Sequence, residues 1–201
     1  MADLTKNTIR HYHERAEDFW DGTKDHDVSQ NIDALCRYLP KDSTHILDFG
    51  CGPGRDLMAF TQLGFTAIGL DGAQDICELA RKHSGCEVWE QNFIDLELPS
   101  NAFDGVFANA TLFHIPKTAL SAVLAALHRC LKDNGILFCS NPRGPDIEQV
   151  NELRYGNYMD VDGWSTFFKA AGFEYCEHYF RPPGLPRDAQ PWLAMVWRKC
   201  N

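Results

Sequence analysis

Residues 48–56 read DFGCGPGRD, and this short stretch decides the fold of the chain. Glycine occupies every second position, at Gly50, Gly52 and Gly54. The apolar pair Ile46-Leu47 comes before the stretch, and a helical pattern follows it. Glycine accepts backbone angles and close approaches that other residues do not. A glycine-rich turn between a strand and a helix is typical of the ligand-binding end of an open α/β sheet.

The dinucleotide-binding fingerprint G-x-G-x-x-G does not fit this stretch in either register. It demands a third glycine at position 55 or 57, where the chain has Arg55 and Leu57. An NAD-dependent enzyme is therefore the weakest of the functions considered. The pattern G-x-G-x-G does fit, which indicates a different ligand.

Strand and helix patterns alternate around the glycine turn, which predicts a parallel sheet with helices on both faces. The clearest helix starts at Pro116 and is predicted to continue to Leu131, before a strand over 136–140. The last two strands, 173–180 and 192–198, have no helix between them. Their connector RPPGLPRDAQP holds four prolines, which favours an antiparallel pair at the sheet edge.

Two helices are predicted ahead of the sheet. The first carries an apolar stripe from Ile9 to Trp20, and the second begins at Ser29, a typical N-cap residue. Near the other end of the chain, the segment 141–159 is polar and is predicted as a loop.

Composition restricts the class of function. The formal net charge of −9 argues against a broad nucleic-acid-binding surface, and no apolar run reaches the length of a membrane span. The eight cysteines include no C-x-x-C pair, which predicts reduced thiols and no metal site. The polar stretch 1–18 has no apolar signal core, which predicts a cytoplasmic protein.

Three motifs occur in order: ILDFGCGPG at 46–54, IGLD at 68–71 and FDGVFANATLFH at 103–114. With them the chain resembles the class I S-adenosylmethionine-dependent methyltransferases. The stretch YHERAEDFW at 12–20 is similar to small-molecule members of the ubiquinone/menaquinone and biotin pathways.

The resemblance implies a Rossmann-like fold with a seven-stranded, mostly parallel sheet in the order 3-2-1-4-5-7-6. Residues 1–201 would form a single domain. Its parts would be an N-terminal helical lid (1–44) that closes over the cofactor and a core (45–201) with a substrate-side loop (141–159).

The implied cofactor is S-adenosylmethionine, with S-adenosylhomocysteine as product. Asp71 would accept hydrogen bonds from both ribose hydroxyls, Asn92 and Phe93 would contact the adenine, and Asn109 would lie beside the sulfonium. Arg55 either pairs with the cofactor carboxylate or lies on the surface, and Tyr12 either covers the cofactor or only packs. The implied cofactor-binding residues are Tyr12, Gly50, Cys51, Gly52, Arg55, Asp56, Asp71, Gly72, Asn92, Phe93, Asn109 and Ala110.

Methyl transfer needs a general base only when the acceptor carries a proton that must leave. His114 is the leading candidate for this base and His26 the second, although either histidine can simply cap or pack. The candidate acceptor-binding residues are Trp20, Thr23, His26, Arg143, Arg154 and Tyr155. The arginines and tyrosines of 141–159 suit an anionic or aromatic acceptor, or else belong to a solvated loop.

The acceptor is expected to be a small molecule rather than nucleic acid or a membrane component. The chain lacks the D/N-P-P-Y/F motif of nucleic-acid amino methyltransferases. A monomer or homodimer is expected. The alternative function is a non-catalytic module that holds the cofactor or a partner on a methyltransferase fold.

Overall fold

The computed structural model describes residues 2–200, in which three helices precede the first strand and helices and strands then alternate from β1 to β3. The α-helices are α1 (Ala2–His13), α2 (Ala16–Thr23), α3 (Ser29–Tyr38), α4 (Arg55–Gln62), α5 (Gln74–Ser84), α6 (Lys117–Cys130) and α7 (Val161–Ala170). The strands are β1 (His45–Phe49), β2 (Thr66–Asp71), β3 (Glu87–Glu90), β4 (Phe103–Asn109), β5 (Leu131–Pro142), β6 (Ile147–Asn151), β7 (Arg154–Tyr158), β8 (Phe173–Arg181) and β9 (Trp192–Lys199). Within this described range, no helix is long and apolar enough to cross a lipid bilayer.

Seven of the strands form one sheet in the order β3-β2-β1-β4-β5-β9-β8. The first five are parallel, whereas β9 is antiparallel to both of its neighbours, β5 and β8. The predicted order 3-2-1-4-5-7-6 is confirmed, because β8 and β9 are the sixth and seventh strands of this sheet along the chain. Strand β8 therefore runs in the same direction as β1, and both end at the same edge.

Helices cover both faces of the sheet, and alternate side chains on each strand enter two different cores. Val106 and Ala108 of β4 join the cluster that includes α6 and α7 residues. Phe107, between them, joins the cluster that includes residues of α3, α4 and α5. Both faces are buried, as the continuous apolar strands predict.

The N-terminal segment differs from the prediction of two helices. The chain forms three, because the backbone leaves the helical conformation at Arg15, between α1 and α2. Ser29 does not cap α3 with its side chain; instead, the Asp27 carboxylate accepts a hydrogen bond from the Ser29 N–H. Helix α3 packs on the sheet through Ile32 and Leu35, so only α1 and α2 remain as the candidate lid.

The segment 141–159 is not the predicted loop. Strand β5 continues to Pro142, and β6 and β7 then form an antiparallel hairpin in which Val150 pairs with Tyr155. The sequence did not indicate this hairpin, because one of its fully buried residues, Asn157, is polar. The boundary near Leu131 was also predicted wrongly, because α6 ends at Cys130 and β5 begins with Leu131.

Candidate active site

A cavity of about 630 Å³ opens at the carboxyl edge of the sheet. Its floor is the glycine turn after β1 and the ends of β2 and β4, where parallel strands place Gly50, Asp71 and Asn109 side by side. Helices α1 and α2 cover it, and residues from the hairpin and from the β8–β9 connection complete the wall. This is the position at which open α/β sheets bind ligands.

The glycines of the turn are required by their protein neighbours. A Cβ atom on Gly50, whose φ is +80°, would lie 2.1 Å from Oγ1 of Thr111. A Cβ on Gly54, at φ +95°, would lie 3.0 Å from the backbone of Ala80 in α5. The close approach that the sequence indicates is therefore made by the loop after β4 and by α5.

Gly52 and Gly72 instead leave room beneath the N-terminal helices. A Cβ on Gly52 would lie 3.3 Å from the Phe19 ring, and one on Gly72 would lie 3.2 Å from Ile9. Both glycines line the cavity. Side chains at these positions would fill the space between the sheet edge and the N-terminal helices.

Asp71 lies at the centre of the floor. Its two carboxylate oxygens accept hydrogen bonds from the Gly52 N–H (3.2 Å) and the Ala73 N–H (3.1 Å). Burial raises the pKa of Asp71 to about 6, although the backbone N–H groups around it oppose the rise. The carboxylate retains lone pairs for further donors, which suits a ligand with two neighbouring hydroxyls.

Arg55 and Asp56 are bound to each other. The guanidinium donates to both oxygens of Asp56, at 2.7 and 3.0 Å, and to the Thr23 carbonyl at 2.9 Å. Asn109 donates to the same carboxylate at 3.3 Å and accepts from Asn31 at 3.0 Å. The network connects the end of β4 to α3 and to the end of α2, so Arg55 already has a carboxylate partner.

His114 lies on a short 3-10 helix (Leu112–His114), and both of its ring nitrogens are engaged. Nδ1 is 2.7 Å from the Tyr155 carbonyl, and Nε2 is 2.9 Å from the Tyr12 hydroxyl. A carbonyl only accepts, so Nδ1 carries the proton and Nε2 accepts from Tyr12. Burial lowers the pKa of His114 to about 4, which keeps the imidazole neutral.

The other predicted residues divide between the cavity and its surroundings. Phe93 lines the cavity and packs on Phe49, with ring centroids 4.7 Å apart. The Asn92 side chain, by contrast, accepts from the Ile94 N–H and lies outside the lining. The remaining predicted residues that line the cavity are Thr23, His26, Cys51, Ala110 and Arg154.

Three of the predicted acceptor-binding side chains lie outside the cavity lining. Trp20 stacks on His83, with ring centroids 4.1 Å apart. Arg143 donates to the Arg187 carbonyl at 2.8 Å. The hydroxyl of Tyr155 donates to a Glu148 carboxylate oxygen, so this residue reaches the site only through its backbone.

Sequence reasoning missed several lining residues. Arg181 ends β8 and Trp192 begins β9, on either side of the proline-rich connection, and Phe113 precedes His114. The direction of β8 was the available signal, because a strand parallel to β1 must deliver its last residue, Arg181, to the same edge. Thr5 and Thr8 of α1 also line the cavity, and no pattern pointed to them.

Comparisons with known proteins agree with this architecture. A family model described as a methyltransferase domain matches residues 46–135. A Schizosaccharomyces pombe protein named uncharacterized methyltransferase C70.08c is 27% identical over 211 residues, covering 88% of this chain and 80% of its own. Sterol 24-C-methyltransferase erg6 of Aspergillus fumigatus is 29% identical over 76% of this chain, which spans only 45% of that enzyme.

Two solved structures share the fold over the whole chain. Burkholderia thailandensis 1,6-didemethyltoxoflavin-N1-methyltransferase, with S-adenosylhomocysteine bound, has a TM-score of 0.76 at 21% identity, and 88% of it is covered. The structure titled DhpI-SAH complex has a TM-score of 0.77 at 16% identity, with 98% covered. The domain match, the relatives and the shared fold support a class I S-adenosylmethionine-dependent methyltransferase.

Proposed function

We propose that this protein transfers a methyl group from S-adenosylmethionine to a small-molecule acceptor bound in the same cavity. The observation that carries the proposal is the cavity of about 630 Å³, with Asp71 on its floor and helices α1 and α2 on its other side. Named relatives act on small molecules, including a trans-aconitate 2-methyltransferase from Azoarcus and the sterol methyltransferases. Free thiols at all eight cysteines support a reducing, cytoplasmic location.

The residues on the floor fit the cofactor. Asp71 would accept from the ribose hydroxyls, and Phe93 would contact the adenine from its place in the lining. Gly52 and Gly72 leave the space that a bound nucleoside and its amino-acid chain would fill. We do not assign Arg55 to the carboxylate of the cofactor, because its guanidinium already binds the Asp56 carboxylate.

The cofactor, when bound, supplies an electrophilic methyl group on a positively charged sulfur. The contribution of this chain is alignment and exclusion of water, and alignment alone is worth up to roughly 7–11 kcal/mol. Phe19, Ile9 and the Tyr12 ring cover the floor, and Phe113 and Trp192 add apolar walls. These side chains would hold the acceptor against the floor.

His114 serves best as a positioning residue. Its Nδ1–H and its Nε2 lone pair are both used within the protein, and a pKa of about 4 makes it a weak base at neutral pH. The hydrogen bond from Tyr12 fixes the side of α1 that faces the cavity. His26 is exposed at the rim and is the remaining histidine of the lining that can accept a proton.

The test is transfer of label from S-adenosylmethionine with a radioactive methyl group into a cell extract separated by size. We expect labelled small molecules other than S-adenosylmethionine to appear with wild-type protein, and no increase above the extract alone with Asp71→Asn. Label confined to protein or nucleic acid contradicts the proposed acceptor class. Tight binding of S-adenosylhomocysteine without any transfer supports the non-catalytic alternative.

A further inference from the structure

The cavity lining holds three acidic residues and three arginines. Asp71 lies at the end of β2, Asp56 is paired with Arg55 at the start of α4, and Asp27 lies beside Arg181. Arg154 and Arg181 enter the lining from β7 and from the end of β8. The end of the cavity that these two arginines line is notable in a chain whose net charge is −9.

Arg154 faces neutral groups. Its guanidinium lies beside the Tyr12 hydroxyl and adds to the lowering of the pKa of His114 and of His11, for which burial is the larger cause. No carboxylate of the described chain lies within 4.0 Å of it. Arg154 therefore lines the cavity as an exposed side chain without an ion pair among the described residues.

Arg181 is also without an ion pair. One of its terminal nitrogens donates to the Asp27 carbonyl at 2.8 Å, while its buried Nε has no partner among residues 2–200. The Asp27 carboxylate is the nearest acidic group that interacts with it, and that carboxylate is used by the Ser29 N–H.

Neutral surfaces complete this end of the cavity. The rings of Phe113 and Trp192 meet edge to face at 6.5 Å, which leaves flat apolar walls. Thr5 also lines the cavity, and its buried hydroxyl lacks a hydrogen-bond partner in the described part of the chain. Guanidinium groups without ion pairs match an acceptor that brings hydrogen-bond-accepting oxygens.

We infer that the methyl acceptor is an organic anion whose carboxylate or phosphate group binds Arg154 and Arg181. The inference rests on the proposed function, because it assigns the second ligand of the same cavity. Guanidinium groups bind carboxylates and phosphates through paired hydrogen bonds, which explains why two arginines lack acidic partners here. The apolar body of the acceptor would lie against Phe113 and Trp192.

The test uses the full chain saturated with S-adenosylhomocysteine and three probes of one shape: benzoate, phenyl phosphate and benzamide. Binding is measured by saturation-transfer NMR and calorimetry. We expect at least one anion to bind roughly tenfold or more tightly than benzamide, and the preference to fall in high salt. The tighter of the two anions identifies carboxylate or phosphate as the recognised group.

The double variant Arg154→Gln/Arg181→Gln should lose the preference for anions. The matched control is Arg129→Gln, an exposed arginine at the end of α6, at the opposite edge of the sheet. Equal binding of all three probes, absence of binding by both anions, or an unchanged preference in the double variant overturns the inference. Failure of the wild-type protein to bind S-adenosylhomocysteine would instead overturn the proposed function, which keeps the two failures distinct.

Discussion

Asp71→Asn removes the charge at the centre of the floor, and its effects on stability and on binding are expected to be opposite. The pKa of Asp71 is raised from 3.8 to about 6. At roughly 1.4 kcal/mol per unit, the buried charge costs the cofactor-free protein about 3 kcal/mol at pH 8. Against this, Asn keeps only one acceptor for the two backbone N–H groups, which costs about 1–3 kcal/mol.

The pH dependence separates these two contributions. The folded-state pKa of Asp71 lies above the unfolded value, so the cost is present in full above pH 6 and disappears as the pH falls through 6 toward 4. The Asn variant has no such dependence. Its free energy of unfolding relative to wild type should therefore fall by about 1–2 kcal/mol between pH 8 and pH 5, measured by urea unfolding without cofactor.

Binding of S-adenosylhomocysteine should respond in the other direction. Two charge-assisted hydrogen bonds to the ribose are worth roughly 1.5–3 kcal/mol each, so the dissociation constant at pH 8 should rise at least about a hundredfold. Calorimetry measures this dissociation constant. Asp133→Asn is the control, because the Asp133 side chain is 72% exposed and lies near the start of β5. Wild-type affinity in Asp71→Asn would refute the assignment of this carboxylate to the cofactor.

Three further predictions concern the turn and its cover. Gly50→Ala should destabilise the protein more than Gly64→Ala in urea unfolding. Both glycines have positive φ, but only the Cβ added at Gly50 would clash with a neighbour, Thr111. Equal effects of the two substitutions would contradict this prediction. Tyr12→Phe leaves Nε2 of His114 without its donor and should cost about 1–3 kcal/mol of stability by the same measurement, whereas no change would show that this bond is unimportant. The folded-state pKa of His114 lies below its unfolded value of 6.5, so the stability that neutral His114 contributes is present above pH 6.5 and is lost as the pH falls toward 4. Protonation of this ring near pH 6.5 in an NMR titration would disprove the prediction.

The parts of this protein that local sequence determines were predictable. Gly50 and Asp71 each follow an apolar strand directly, so their meeting at one sheet edge follows from parallel pairing alone. The antiparallel position of the last strand followed from the absence of a helix between 180 and 192.

The parts that depend on distant contacts were not predictable. His114 is an ordinary candidate base in the sequence, but its partners lie 41 and 102 residues away, and they occupy both nitrogens. Arg143 and Arg154 looked equivalent in one polar segment, yet the hairpin directs only Arg154 into the cavity lining. Polar residues such as Asn157 gave no sign of burial, so the hairpin itself was missed.

The contacts of α1 with the rest of the protein bear on how ligands reach the cavity that this helix covers. The buried residues on α1 are polar, Thr5, Thr8 and His11, and Thr8 accepts a hydrogen bond from the Tyr155 N–H at 3.0 Å. The apolar Ile9 is directed instead toward the floor, at the edge of empty space. Hydrogen bonds between neutral groups contribute only about 0.5–1.5 kcal/mol each, and Ile9 and Tyr12 add packing on the apolar cluster around Ile76. A ligand against Ile9 would bury apolar surface that the protein alone leaves open, and closure would then be driven by the molecules that react.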